Sequence, residues 1–457
     1  MSAPDLLIRV HQKPEGGHTN LYYQLHSKEL NWVKFGPQKL RLDHRSWFER
    51  FHKDMDTTIS GVILLGGSDN ERRALMDKGL RLFEDLFPQE LQETLWNLRD
   101  KVNTIRVETE EEYIPWELCC LQGAKEDRIE EGLFMCEAFQ LTRWLPEKPI
   151  FTKLTTRHAA VLKQSAEGLD SVLDEILALK SQVGNVTQIN SNMTALREEM
   201  SVGDYDLWHI VGHGQLEEKQ DEEMVIILDD GRLVTSENIT GIARNIGHSR
   251  PLVFMNCCFS AHATQGLTGI GSWAESFIRA GAGAFIGAMW SVTDQSASLF
   301  ARTFYQHFLA GETLGVATNK AREAVRQTGD VSWLAYTVYG DPDASIPLKN
   351  SEESKPEPSS IHPWLERFEQ FDRGLTLALL SVAAVVREPL SVRALALLAK
   401  INPLQAEQII KVWPDVFSKN DANKLTVDQD KLAPFLQSQN VDLRAAHQRI
   451  LTTLETV

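Results

Sequence analysis

Leu207-Trp208-His209-Ile210-Val211-Gly212-His213-Gly214 and Leu252-Val253-Phe254-Met255-Asn256-Cys257-Cys258-Phe259-Ser260-Ala261 decide how this chain is read. Each is an apolar run of strand length that ends in a reactive side chain, a histidine between glycines in the first and a cysteine in the second. In an open parallel sheet, ligands and chemistry sit beyond the carboxyl ends of the strands. A base and a thiol at those ends of two neighbouring strands face one cleft, which is the layout of a His/Cys dyad. His209 lies inside its apolar run, where burial is expected, whereas His213 lies past the end of it. Cys257 and Cys258 point to opposite faces if both are extended, so only one of them enters the cleft.

The flanking segments fit such a sheet. From Arg157 onward strand and helix signals alternate, the pattern of parallel strands with crossover helices. Strands are expected at His158–Leu162, Val186–Ile189, Asp206–Val211, Pro251–Asn256, Ala284–Trp290 and Trp333–Tyr339, with helices between them. Met224–Leu228 and Arg232–Val234 are joined by Asp229-Asp230-Gly231, a hairpin turn, and Ser236 is placed to cap the helix that follows. Upstream, residues 1–50 read as a few short strands, and 51–150 as a small α/β half ending near Leu145. The catalytic region spans 151–349. Residues 350–360, rich in Ser, Glu, Lys and Pro, form a linker, and 361–457 a last domain of three helices followed by a small hairpin, the order of a winged helix.

With 457 residues and domains of about 100–200 residues each, two or three domains are expected. A net charge of −16 disfavours a nucleic-acid partner, which needs a dense basic footprint. Neither a secretory signal nor an uncharged run of membrane-spanning length is present, so a cytoplasmic protein is expected. The five cysteines occur as Cys119-Cys120, Cys136 and Cys257-Cys258. Neither they nor the histidines show the paired spacing of a zinc site, and free thiols without a metal or organic cofactor are expected. The acidic runs Glu108–Glu112 and Glu217–Glu223 read as solvated loops.

A cysteine protease needs a thiolate nucleophile, a base that later acts as acid, and donors for the oxyanion. Cys258 and His213 are the candidates for the first two, with Cys257 and His209 as their competitors. The backbone amides of Gly214, unobstructed by a side chain, and of Cys258 are candidates for the oxyanion donors. A helix beginning at the thiol would lower its pKa.

His-x-x-Gly-His-Gly around His213, and Asn-x-Cys followed by x-Ser-Ala around Cys258, resemble the active-site pair of the CHAT domain proteases, relatives of caspases and separases. Ile114-Pro115-Trp116-Glu117-Leu118 is similar to the Pro-Trp-Glu-Leu box of that family, Trp290-Ser291-Val292-Thr293-Asp294 to its Trp-x-Val-x-Asp segment, and Tyr339-Gly340-Asp341-Pro342 to its terminal Tyr-Gly-Asp-Pro. The resemblance runs over roughly residues 61–348. It implies a caspase-hemoglobinase-like α/β fold with a mainly parallel sheet flanked by helices, and a nucleophile at Cys258. Cys257 departs from the small residue usual there.

The likeness to separases implies that Asp294 receives a basic side chain beside the scissile bond, giving cleavage after Arg or Lys. The plain alternative is that Asp294 caps the helix beginning near Gln295. Protein substrates follow, with a protein activator or sensor docking on the last domain. Activation by a partner or by proteolysis, and a setting in bacterial stress or antiphage signalling, complete the expectation. The rival reading is a catalytically silent caspase-like scaffold that acts by binding.

Overall fold

The computed structural model describes residues 4–347 apart from 16–17, 29–30, 41–68, 112–113, 126–127, 166–170, 218–222, 244, 260–269 and 291, and beyond them 373–385, 390–411 and shorter pieces up to residue 436. The chain divides into two compact units, Met1–Leu348 and Lys349–Val457. The linker at 350–360 lies outside the described residues.

The first unit begins with β1 (Leu6–Glu15), β2 (His18–Ser27) and β3 (Val33–Lys39). Helices α1 (Asp69–Leu86) and α2 (Gln89–Leu98) precede β4 (Thr104–Thr109), a two-stranded sheet of β5 (Cys120–Lys125) and β6 (Arg128–Phe134), the short helix α3 (Met135–Ala138) and β7 (Gln140–Trp144). The alternation expected from Arg157 onward follows: β8 (His158–Lys163), α4 (Val172–Gln182), β9 (Asn185–Ile189), α5 (Met193–Val202) and β10 (Leu207–Glu217). Then come β11 (Glu223–Ile227), β12 (Leu233–Val234), α6 (Ser236–Ile242), β13 (Leu252–Phe259), α7 (Ile270–Ala280) and β14 (Ala284–Ala288). Helices α8 (Asp294–Phe308) and α9 (Leu314–Gln327) lead to β15 (Tyr336–Tyr339).

Thirteen of these strands share one sheet, making a mixed α/β fold with helices packed on a large, mainly parallel sheet. Its central run, β9-β8-β10-β13-β14-β15-β7-β4-β1, is parallel at every joint except β14–β15. The sheet is therefore two parallel halves of opposite direction, and β15, the last strand of the first unit, joins them. The strands of residues 1–50 continue the first half outward, with β1 parallel to β4 and antiparallel to β2.

Burial explains why the central strands read as continuous apolar runs. Leu252, Val253, Phe254 and Met255 of β13 are all fully buried, as expected where helices cover both faces of a parallel sheet. The faces are distinguishable by strand alternation. Phe254 packs on Phe300, Phe304 and Tyr305 of α8. Phe285 of β14, which continues the row of Val253, stacks on Phe277 of α7. One face thus belongs to α4 and α8, the other to α7.

The hairpin expected at Asp229-Asp230-Gly231 is present, β11 running antiparallel to β12 with Gly231 at φ +76°. The cap of α6 is Thr235 rather than Ser236: its hydroxyl accepts from the Asn238 amide while the Asn238 side chain accepts from the Thr235 amide, a reciprocal pair. The acidic run from Glu108 is corrected. Glu108 belongs to β4 and is buried, because Arg106 and Arg9 meet its two carboxylate oxygens at 3.1 and 2.7 Å.

In the second unit, α10 (Arg373–Val385), α11 (Val392–Ala399) and α12 (Pro403–Lys411) are followed by an antiparallel pair, β16 (Phe417–Lys419) and β17 (Leu425–Val427). Leu379, Leu380, Leu395, Ile409, Trp413 and Leu425 form its core. Among the described residues no helix is long and apolar enough to cross a membrane.

Candidate active site

His213 and Cys258 are register partners on neighbouring parallel strands: β10 pairs with β13 from Leu207↔Leu252 to Gly214↔Phe259, with His213 opposite Cys258. Both strands are longer than the apolar runs suggested. β10 continues through His213 to Glu217, and β13 through Cys258 to Phe259. His213 therefore stands within a strand rather than past its end. The reason is a change of neighbour on the other edge of β10. Up to Val211 that edge is paired in parallel with β8, and from Gly214 it is paired antiparallel with β11. Gly212 and His213 fall in the fork between the two partners. Gly214 has neighbours on both sides, Ile226 and Phe259.

Alternation separates the two cysteines. Position 258 belongs to the row of Phe254 and Asn256, on the α4/α8 face, and position 213 to the row of His209 and Val211 on that same face. Cys257 belongs to the opposite row. Its side chain is buried, with Sγ 3.8 Å from the Ile210 carbonyl. The helix expected to start at the thiol does not start there: Cys258 lies within β13, residues 260–269 lie outside the described residues, and α7 spans Ile270–Ala280.

Asp294 is the first residue of α8, and the cap is its neighbour Thr293, whose hydroxyl accepts from the Ser296 amide. The Asp294 carboxylate instead accepts, through Oδ2, a 2.9 Å bond from the backbone amide of Ser171 at the head of α4. Ser298 Oγ donates to the Ser171 carbonyl at 3.0 Å, so α8 grips the start of α4 twice. A cavity of about 360 Å³ beside this junction is lined by Ser171, Asp174, Ser296, Ser298 and Arg302.

Behind positions 213 and 258, on the same face, lies a buried polar cluster. Asn256 Nδ2 donates to Glu175 Oε2 of α4 at 2.9 Å, and its Oδ1 accepts from the Tyr336 hydroxyl of β15 at 3.0 Å. His209 Nε2 is 3.0 Å from the same Glu175 Oε2, off the line of an ideal hydrogen bond, and its Nδ1 is 2.8 Å from the Tyr305 hydroxyl of α8. Burial and the Glu175 charge hold the Tyr305 phenol well above its usual pKa. The Tyr305 hydroxyl and His209 Nδ1 share this hydrogen bond, with donor and acceptor set by the imidazole tautomer. His209 is thus buried, as its place in the apolar run suggested, with Nδ1 bonded to Tyr305 and Nε2 facing Glu175 without a hydrogen bond of good geometry. Glu175 was legible only as an acidic residue within the buried stripe Val172, Ile176 and Leu179 of α4.

The other recurrent segments serve the joints of the sheet. Trp116 is fully buried against Tyr23 and Phe87. Glu117 takes Arg143 of β7 at both carboxylate oxygens and the Thr337 hydroxyl of β15 at 2.7 Å. Burial pushes the Glu117 carboxyl up, but Arg143 and Thr337 outweigh it and leave it below its ordinary value. Asp341 accepts from Arg106 of β4 at 2.6 Å. For Asp341 burial prevails over Arg106 and its carboxyl lies above the ordinary value. Among the described residues no cluster of three or more His, Cys, Asp or Glu could hold a metal ion.

Residues 78–364 match the CHAT domain. The match takes in more than half of the chain, and the chain belongs to the CHAT domain family. A comparison with curated proteins found no match. Among solved structures, it is similar to the Arg-specific cysteine proteinase gingipain R, at 12% identity, covering 57% of this chain and 69% of that one with a TM-score of 0.40. It is similar also to the complex of Porphyromonas gingivalis RgpB pro- and mature domains (11% identity, 66% and 77% covered, TM-score 0.40). A third is the Saccharomyces cerevisiae separase–securin complex (13% identity, TM-score 0.42), where 73% of this chain covers 30% of that chain.

Proposed function

We propose that this chain is a cysteine endopeptidase acting on a protein substrate. The observation that carries the reading is the pairing of positions 213 and 258 as register partners on two parallel strands, on one face, at the fork of the sheet. In this reading the Cys258 thiolate adds to the scissile carbonyl carbon after His213 has taken the thiol proton. The oxyanion is received by the amides of Gly214 and Cys258, and His213 returns the proton to the amine as the C–N bond breaks. Water then hydrolyses the thioester. Asp294, with one oxygen engaged by Ser171, offers the other to a guanidinium or ammonium, which gives cleavage after Arg or Lys.

The second unit, with its helices and antiparallel pair in winged-helix order, serves as the docking site of an activator or sensor. Release of activity comes from that partner or from proteolysis. A cytoplasmic setting in bacterial stress or antiphage signalling belongs to the same proposal.

An arginyl fluoromethylketone tests the reading. Covalent modification of the wild-type chain is expected, lost in Cys258→Ala and in His213→Ala and kept in Cys257→Ala. Modification that persists in Cys258→Ala overturns the assignment. With peptide substrates, Asp294→Ala is expected to lower kcat/KM for Arg at least tenfold while leaving a weak Asp substrate unchanged. An Arg preference that survives the substitution removes Asp294 from the pocket.

A further inference from the structure

The cluster Glu175, His209, Asn256, Tyr305 and Tyr336 is nowhere more than 2% exposed. It ties together β10, β13, β15, α4 and α8, and its members on β10 and β13 stand in the same rows as His213 and Cys258. We infer that Asn256 and Glu175 are positioning residues for the dyad: their hydrogen bond, braced by Tyr336 and faced by His209, fixes the seating of β10 against β13 and so the approach of His213 to Cys258. This inference rests on the proposed peptidase reading.

The connectivity makes the bond a sensitive point. Asn256 is two positions before Cys258, so a rotation of its peptide units is passed to the thiol within one strand repeat. Its amide nitrogen also lies 3.4 Å from the Ala297 carbonyl of α8, and its oxygen is engaged by Tyr336. The Asn256 side chain is thereby held from three elements. Glu175 Oε2 accepts from Asn256 Nδ2 of β13 at 2.9 Å and stands 3.0 Å from His209 Nε2 of β10, outside hydrogen-bond geometry. A single buried oxygen of α4 therefore faces both β10 and β13. Core packing alone needs no such group, since apolar residues of similar volume fill a buried site at least as well.

The test is the rate of Cys258 alkylation by iodoacetamide against pH, read by peptide mapping of the folded full-length chain. The four other cysteines, Cys119, Cys120, Cys136 and Cys257, are buried. His213→Ala reports on the peptidase reading itself and is expected to move the midpoint of the profile toward that of an ordinary thiol. Asn256→Asp, which sets a second carboxylate against Glu175, is expected to slow alkylation at pH 7 at least fivefold and move the midpoint the same way. The swap Asn256→Asp with Glu175→Gln reverses donor and acceptor, and is expected to recover the wild-type rate within twofold. Tyr336→Phe keeps the ring stacked on Phe300 at 3.6 Å and removes only the hydroxyl, so the fold is retained; a two- to fivefold slowing is expected.

Profiles for Asn256→Asp and Tyr336→Phe that coincide with wild type while His213→Ala shifts its own overturn this inference alone. A His213→Ala profile that coincides with wild type overturns both.

Discussion

Glu117 carries a carboxylate at zero exposure, held by Arg143 and Thr337 from two strands of the first half-sheet. Removing one partner of such a pair leaves the other charge buried and unpaired, at a cost of about 3–5 kcal/mol. Glu117→Gln is therefore expected to lower the unfolding free energy of the first unit, measured by urea titration, by that amount at pH 7. The sign with pH follows from the lowered pKa. The contribution is fully present above the ordinary value of 4.5 and is lost as pH falls through the folded value below it. The gap in stability between wild type and variant should narrow on acidification below pH 4.5, and a gap constant down to pH 3 contradicts this account.

At this scale the sequence was legible where chemistry is local and opaque where it is not. His213 and Cys258 stood at the ends of readable runs. The partner of Glu117, by contrast, sits on another strand, and nothing in an acidic stretch announces that Arg106 and Arg9 bury Glu108. Glu175, Asn256 and Tyr336 belong together only because α4, β13 and β15 do.

Among the elements, the strand and helix order of residues 157–339 could be read from periodicity and turn residues, including the hairpin at Asp229-Asp230-Gly231. The length of β10 could not. Its residues after Val211 are neither apolar nor alternating, and they are strand because β11 folds back to pair with them. The closing strand, expected from Trp333, begins only at Tyr336 because Val331–Leu334 form a 3-10 turn, and it ends as expected at Tyr339, before Gly340. There φ is +156°, and an added Cβ would stand 2.6 Å from Leu314 Cδ2 and 3.3 Å from Ala284 Cβ. The Gly340 amide donates to the Arg143 carbonyl at 3.0 Å, continuing the junction of β15 with β7. Gly340→Ala is expected to cost on the order of 1–3 kcal/mol through strain at that φ and crowding, measured by urea unfolding. An unchanged midpoint would mean that the junction yields without penalty.

For the whole molecule, the division at Leu348 predicts that residues 1–348 fold alone. A chain ending there should unfold cooperatively, at the temperature of the corresponding transition in the full chain; a shift of more than a few degrees would show that the second unit stabilises the first. The union of the strands of residues 1–50 with the large sheet was not legible in the sequence, because short alternating strands do not reveal which edge they extend.

The antiparallel seam between β14 and β15 bears on how the chain comes off the ribosome. Every other strand of the two parallel halves has emerged by Ala288, yet they have no strand in common until Tyr336–Tyr339 arrives to lie between β14 and β7. A nascent chain stalled short of that point holds two half-sheets with open edges, the condition in which strands pair with the wrong neighbour. Synthesis of the last four-residue strand is thus the event that commits the polypeptide to a single sheet.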